Sequence, residues 1–261
     1  MDKDTIEFYR IAYFQNDEPV PYKLKCGYTI NIYPISVKDW ELFEKSLTIL
    51  SMNKNEINDA DVIRMSYLQF VMERIVAKDD NYKSMLFTVL EKSLHESNFG
   101  YMEDKNRKPL LLISDNNDIC KATITHKEFD DICKIIKFYN IIGYDDRYVS
   151  SDLQKVMDDY YRIKYKDSHV PNLEERKCYL MGKTGLKMKD INDMSYRSFC
   201  LVYQSQVDND IYFAQKIIQA SFKYDVKEDV NYPLFTKKKD KFDEILQNKD
   251  SFVNKINSVN I

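Results

Sequence analysis

Hydrophobic spacing changes character near residue 143, and this change constrains the fold more than any other feature. Upstream of it, short β-rich runs are interleaved with helical stretches; downstream, the spacing is helical throughout. Thr5–Ile11 alternates and is rich in β-branched and aromatic residues, so it predicts a strand. The Asn16–Pro19 stretch predicts a turn, and Tyr28–Tyr33, ended by Pro34, predicts a second strand. Ser36–Asp39 has the form of a helix cap before Trp40, Phe43, Leu47 and Leu50. Asn58–Asp61 opens a helix with Val62, Met65, Leu68, Met72 and Ile75 on one face, broken at Asp79–Asn81, and 82–96 predicts a third. Residues 98–108 read as a polar loop. Leu110–Ile113, the turn at Asp115–Asp118 and the run Ile119–Ile124 predict a hairpin. Thr125-His126-Lys127-Glu128 is a capping box that launches a helix through Tyr139.

Gly143 to Ser150 marks the boundary. Beyond it helices are expected over 151–166, from Asn172 toward Gly182, over 187–193, 195–206 and 208–222, followed by a polar tail. The expected architecture is therefore α+β and mainly α: a small N-terminal antiparallel β element with helices over 1–145, a helical part over 146–222 and a polar C-terminal tail over 223–261.

Composition narrows the function classes. With 44% hydrophobic and 13% aromatic residues, the chain carries enough apolar material for a sizeable core and is not disordered throughout. Only 5 Gly and 6 Pro argue against Gly-rich phosphate loops, collagen-like repeats and Pro-rich linkers. The 39 Lys+Arg against 42 Asp+Glu leave a net charge of -3, so no global basic field favours nucleic acid. The N-terminus MDKDTIEFYR lacks the form of a signal peptide, and no run reaches the ~18–20 apolar residues of a membrane span. These features predict a soluble protein made in the cytoplasm. Abundant Lys, Ile, Asn and Tyr point to an A+T-rich coding sequence.

Cys26, Cys120, Cys133, Cys178 and Cys200 are odd in number and form no CxxC, which predicts buried free thiols instead of a disulfide framework or zinc ribbon. His95, His126 and His169 are too dispersed for HxxxH or HExxH geometry. Gly182-Lys183-Thr184 has the end of a Walker A motif, but Lys177 stands where its first Gly is needed; Gly182 or Gly185 as a positive-φ helix terminator is the better reading. Asp145-Asp146 and Asp158-Asp159 are adjacent acids that point to different faces of a helix, so they predict solvated charge and not a chelate. No Ser or Cys sits in a GxSxG elbow.

The stretch Leu173–Gln206 has the outline of a helix-turn-helix, with a turn at Thr184-Gly185. Its six basic residues (Arg176, Lys177, Lys183, Lys187, Lys189, Arg197) exceed its four acids (Glu174, Glu175, Asp190, Asp193) by two, which favours a packed helical hairpin over a DNA reader. Tyr160, Tyr161 and Tyr165 beside Arg162, Lys164 and Lys166 fit an ordinary amphipathic helix with half-buried rings, and Lys237–Lys239 a solvated run.

Several segments carry a resemblance: Tyr33-Pro34-Ile35-Ser36-Val37-Lys38-Asp39, Met65-Ser66-Tyr67-Leu68-Gln69-Phe70, Tyr144-Asp145-Asp146-Arg147-Tyr148, Leu173-Glu174, Thr184-Gly185 with Ile191 and Met194, and Arg197-Ser198-Phe199. Together they resemble an uncharacterised phage and prophage protein family of low-GC Gram-positive bacteria. The Thr-Gly turn, short helix and long helix over 184–206 are also similar to the C-terminal helical part of tailed-phage tail assembly chaperones. That resemblance implies a non-enzymatic protein without catalytic residues, cofactor or metal, whose partner is a phage tail or tape-measure protein. Self-association is compatible with it; membrane and nucleic acid are not expected partners. The β-rich N-terminal part has no counterpart in those chaperones. A soluble acidic protein with grooves lined by Met, Phe and Tyr is suited to covering the apolar helical stripes of a tape measure. The alternatives are a structural virion subunit such as a tail connector or baseplate component, and a helix-turn-helix DNA-binding regulator. An enzyme ranks last, since no nucleophile–base or metal set is visible. No partner-binding residue is assignable from the sequence.

Overall fold

A computed structural model describes residues 2–54, 57–117, 119–146, 151–164, 166 and 170–221. The chain is α+β and mainly α. It divides into two units. Unit 1 comprises Met1–Asp145 together with Thr184–Val202, and unit 2 comprises Asp146–Lys183 together with Tyr203–Ile261. The predicted polar tail, Lys237–Lys239 within it, and also Arg147, Tyr148, Tyr165 and His169 lie outside the described residues.

Unit 1 opens with a helix, α1 (Lys3–Ala12), where alternation predicted a strand. The Asp2 carboxylate accepts from Thr5 N at 2.8 Å and caps it, and the Arg10 guanidinium donates to the Glu7 carboxylate one turn back, Nε–Oε2 2.7 Å. Of α1 only Ile6 is buried, while Phe8, Tyr9 and Tyr13 cluster on one another. A strand would have buried every second residue, and the core takes one. Strands β1 (Val20–Lys23) and β2 (Thr29–Ile32) then pair antiparallel, with Val20 opposite Ile32 and both buried.

Helix α2 (Trp40–Leu47) starts at Trp40, later than the Ser36 cap predicted. Ser36 instead bridges Ser195, and its hydroxyl donates to Asp39 Oδ2 at 2.6 Å. The single helix expected through Ile75 is broken into α3 (Ala60–Arg64), α4 (Tyr67–Gln69) and a π-helical turn over Phe70–Ile75. Ser66 interrupts it with an extended backbone and caps α4, accepting from Gln69 N at 3.2 Å. Phe70, Val71 and Met72 are all buried, a run of three neighbours that one α-helical face does not accommodate.

Helix α5 (Asp80–Leu94) leads into a three-stranded antiparallel sheet, β3 (Asn98–Glu103), β4 (Pro109–Ser114) and β5 (Cys120–Thr125), with β4 central. β3 corrects the polar loop predicted over 98–108. Its polar ends conceal Phe99 and Tyr101, which stand opposite Ile113 and Leu111. β4 buries Pro109, Leu111 and Ile113 in strict alternation. Helix α6 (His126–Asn140) carries the predicted capping box and lays Phe129, Ile132, Cys133, Ile135, Ile136 and Tyr139 into the core against this sheet and α4.

The segment 184–202 belongs with this core although sequence spacing placed it in a helical part running from 146 to 222. Helix α9 (Met188–Asp193) and the first turn of α10 (Tyr196–Ala220) return to residues 35–38 through backbone bonds: Val37 N to Met194 O, 2.9 Å, and Tyr196 N to Ile35 O, 2.7 Å. α10 is one continuous helix, not the two predicted, and Gln204 Nε2 donates to Asp208 Oδ1 at 2.7 Å across the expected gap. Unit 2 contains α7 (Ser151–Lys164), most of α8 (Leu173–Thr184) and the remainder of α10. Asn172 and Glu175 form a reciprocal cap for α8, 2.8 and 2.9 Å.

Candidate functional site

The strongest candidate surface lies on unit 2. Along the C-terminal half of α10, Ile211, Phe213, Ala214, Ile217, Ile218 and Ala220 are exposed, with Ile217 at 72% and Phe213 at 60%. At ~100° per residue these side chains fall within one half of the helix circumference. The opposite half carries Asp208, Asn209, Tyr212, Lys216 and Gln219, all partly covered. Asp210, bonded to α8, shares that half, so the apolar side turns to solvent from Ile211 onward, the reverse of an ordinary surface helix. α7 repeats the pattern, with Leu153, Val156 and Ile163 exposed on one stripe and Met157 buried beside it. Exposed apolar patches of this continuity mark interaction surfaces in soluble proteins.

A polar lock fixes α8 to α10 within unit 2. Tyr179 Oη donates to Asp210 Oδ2 at 2.8 Å, Lys183 Nζ to Asp210 Oδ1 at 2.7 Å, and Tyr203 meets the Tyr179 ring edge-on at 5.5 Å. Burial and the Asp210 carboxylate push the Tyr179 phenol up to about 12, and the hydrogen bonds from Lys183 and Tyr179 hold the Asp210 carboxyl below its usual range.

Unit 1 holds a polar cleft of about 430 Å³ between the 34–39 segment and the C-terminal end of α5. Most of its charges are paired: Lys92 Nζ lies 2.9 Å from Asp39 Oδ1 within the cleft, and Lys38 and Glu96 reach Asp193 and Lys121 beyond it at 3.3 Å each. His95 closes one end in a left-handed conformation (φ 55°), stacked on Tyr33 at 3.8 Å. A cleft whose two lysines are already engaged by carboxylates joins segments of unit 1. The second polar node is Asp17, also left-handed (φ 56°), whose two oxygens accept from the Ser195 and Ser198 hydroxyls at 2.7 Å each.

The residues singled out from sequence are placed as follows. Lys183 of the Gly182-Lys183-Thr184 run is engaged by Asp210, and Gly185 supplies the positive φ (72°) after α8. Asp158 accepts from Gln154, and Asp159 pairs with Arg162 at 2.8 Å, so both act as surface helix charges. Tyr160 and Tyr161 are half-buried and meet edge-on. The outline of a helix-turn-helix over 173–206 is split between the two units at 183/184 and 202/203. The first turn of α10, which would have to read base edges, is already engaged: Tyr196 stacks on Trp40 at 3.5 Å, the Arg197 guanidinium lies over Phe14, and Phe199 is fully buried.

All five cysteines are free, as predicted, but the expectation that they are buried holds for Cys133 alone; Cys26, Cys120 and Cys178 are exposed and Cys200 is intermediate. Burial pushes the Cys133 thiol well up, whereas at Cys26 hydrogen bonds from Thr123 and Tyr28 outweigh partial burial and bring the thiol down. Among the described residues no three His, Cys, Asp or Glu side chains converge on a point, and no helix is long and apolar enough to cross a membrane. Sequence spacing predicts only a final helix over 208–222 and does not say which side of it faces solvent.

No protein-family model matches the chain, and neither a curated protein nor a solved structure matches it.

Proposed function

We propose that this chain is a non-enzymatic phage tail assembly protein, similar in role to tail assembly chaperones, that binds a helical tail or tape-measure protein during morphogenesis. The observation that carries the reading is the solvent-facing apolar side of α10. A long helical partner exposes apolar stripes before assembly, and a fixed helix presenting Ile211, Phe213, Ile217 and Ile218 can bury them side by side. The resemblance of residues 184–206 to the helical part of tail assembly chaperones supplies the identity of that partner. The covered first turn of α10 favours protein over DNA as the ligand.

Affinity capture of the tagged chain from its host during phage production, with mass spectrometry of the eluate and of purified particles, tests the reading. Recovery of a long helical tail protein with the chain, and absence of the chain from particles, is the expected result. The paired change Ile217→Ser and Ile218→Ser lowers that recovery about tenfold, as for interface anchors. Stoichiometric presence in particles makes the chain a structural virion subunit and overturns the chaperone role.

A further inference from the structure

A second, smaller cavity lies on unit 1, well separated in chemistry from the apolar helix faces. It has a volume of about 260 Å³ and is lined by Lys25, Asp104, Lys108, Leu110, Thr125, His126 and Lys127. The four basic side chains come from three chain segments: the turn after β1, the head of β4 and the first turn of α6. From the geometry we propose that this cavity binds a small phosphate-bearing anion.

Charge is the first argument. The protein as a whole is acidic, at -3, yet this cavity gathers three lysines and a histidine against one carboxylate. Among the described residues none of Lys25, Lys108 and Lys127 has an ion-pair partner, whereas Lys38, Lys92, Lys121 and Lys183 all do. The cavity's own acid, Asp104, is occupied in holding the β3–β4 turn: its Oδ1 accepts from Asn106 N at 2.7 Å and Lys108 N at 2.8 Å. Those bonds and the Lys108 charge keep the Asp104 carboxyl below its usual range, so it subtracts one charge from the four basic groups at neutral pH.

The wall behind the cavity is the second argument. Glu128, almost fully buried, satisfies the orphan backbone donors around the start of α6: it accepts from Lys25 N at 2.6 Å, Thr125 N at 2.8 Å and the Thr125 hydroxyl at 2.6 Å. Its carboxylate pins the Lys25 backbone to the head of α6, so Lys25 and Lys127 are set on a common rigid frame. Asp130, one turn after His126 on α6, interacts electrostatically with its imidazole. An incoming anion therefore meets side-chain ammonium groups carried on this frame.

The choice of anion follows from donor type. Lysine offers a compact, rotatable point charge suited to a tetrahedral oxyanion approached from several directions; planar carboxylates favour the arginine fork, and no arginine lines the cavity. The half-buried Leu110 gives the one apolar wall, enough for a small organic group beside the phosphate. The volume suits a phosphate ester or a short oligophosphate and is too small to enclose a folded partner.

The test uses the full chain titrated with inorganic phosphate and with tripolyphosphate by calorimetry, with His126 followed by NMR. Saturable one-to-one binding of tripolyphosphate that shifts the His126 ring signals is the expected result. The triple change K25Q, K108Q and K127Q weakens it by at least about tenfold, with Trp40 emission confirming an intact fold. A charge-matched control, K3Q, K45Q and K189Q, leaves the affinity within about twofold, since those exposed lysines lie away from the cavity. Equal weakening by both triples would show a diffuse charge effect and overturn the site. So would absence of saturable binding to the folded protein. Tighter binding of a single-stranded oligonucleotide than of tripolyphosphate, lost in the first triple, would overturn the small-ligand assignment. None of these outcomes depends on the tail-assembly reading.

Discussion

Unit 1 and unit 2 use apolar residues in opposite ways. In unit 1 Phe14, Phe43, Phe70, Phe129, Tyr139 and Phe199 are fully buried; among the described residues of unit 2 the buried apolar side chains are Met157, Leu173 and Leu180. Both units expose apolar side chains, Phe8, Leu42 and Ile119 in unit 1 and Val156, Ile163, Ile211, Phe213, Ile217 and Ile218 in unit 2, but in unit 2 they outnumber the buried ones. Unit 1 also joins distant segments by polar contacts to one carboxylate at a time, whereas the lock in unit 2 sits on the surface at Asp210. The difference teaches that one region is organised around a large core of its own and the other buries few apolar side chains among its described residues.

Phe199→Ala gives the largest expected effect, because it empties a fully buried position of unit 1 from a helix that continues into unit 2. A loss of roughly 3–5 kcal/mol is expected. The single tryptophan, Trp40, stacked on Tyr196, reports it in denaturant titrations. An unchanged midpoint would detach residues 184–202 from unit 1 and break the comparison.

Asp17→Ala comes next. It removes the acceptor of two hydroxyl donors and places alanine at a positive φ, for an expected loss of about 2–3 kcal/mol by the same probe. Asp17→Gly relieves the backbone and recovers about 1 kcal/mol of that.

Thr125→Ala opens the capping box of α6 and should lower the unfolding free energy by about 1 kcal/mol.

Acid pH sharpens the contrast further. Burial raises the Asp39 carboxyl, but the hydrogen bonds from Ser36 and Lys92 and the Lys92 charge outweigh it, leaving it below its ordinary 3.8. Its contribution to unit 1 is therefore present above that value and is lost as pH falls through the lower, folded-state value. Asp39→Asn should flatten the acid limb of the Trp40 unfolding curve, and an unaltered limb would show that other carboxylates govern it.

The smallest effect belongs to unit 2. Ile217→Ser, at a position 72% exposed, should change helicity and thermal unfolding by no more than about 0.5 kcal/mol. A larger loss would mean that this face is already packed, and would erase the distinction between the units.

Local signals made much of unit 1 legible. The β4–β5 hairpin followed from Leu110–Ile113, the Asp115 turn and the alternation after it, and the Thr125/Glu128 box located the head of α6. The left-handed Gly185 was readable as a helix stop. Long-range terms were not. The alternation in Thr5–Ile11 predicts a strand until one knows that no neighbouring strand receives it. β3 is concealed by polar residues because an edge strand draws on its neighbour's backbone more than on its own side chains. Asp17 read only as part of a turn, since its partners lie 178 and 181 residues away. The candidate surface on α10 was hidden for a related reason: periodicity locates an apolar stripe and is silent on which way it faces.

That distance between Asp17 and its serines has a consequence for synthesis. On the ribosome, β1, β2, α2 and the three-stranded sheet all emerge before Ser195 and Ser198 exist. Ile35, Val37 and Asp17 must wait for a segment made after the whole of α7 and α8, and Trp40 waits with them for its Tyr196 partner. The nascent chain therefore passes through a vectorial stage in which the first 145 residues are present and their closing piece is not, and that stage is the point at which a co-translational helper or a misplaced helix has its opening.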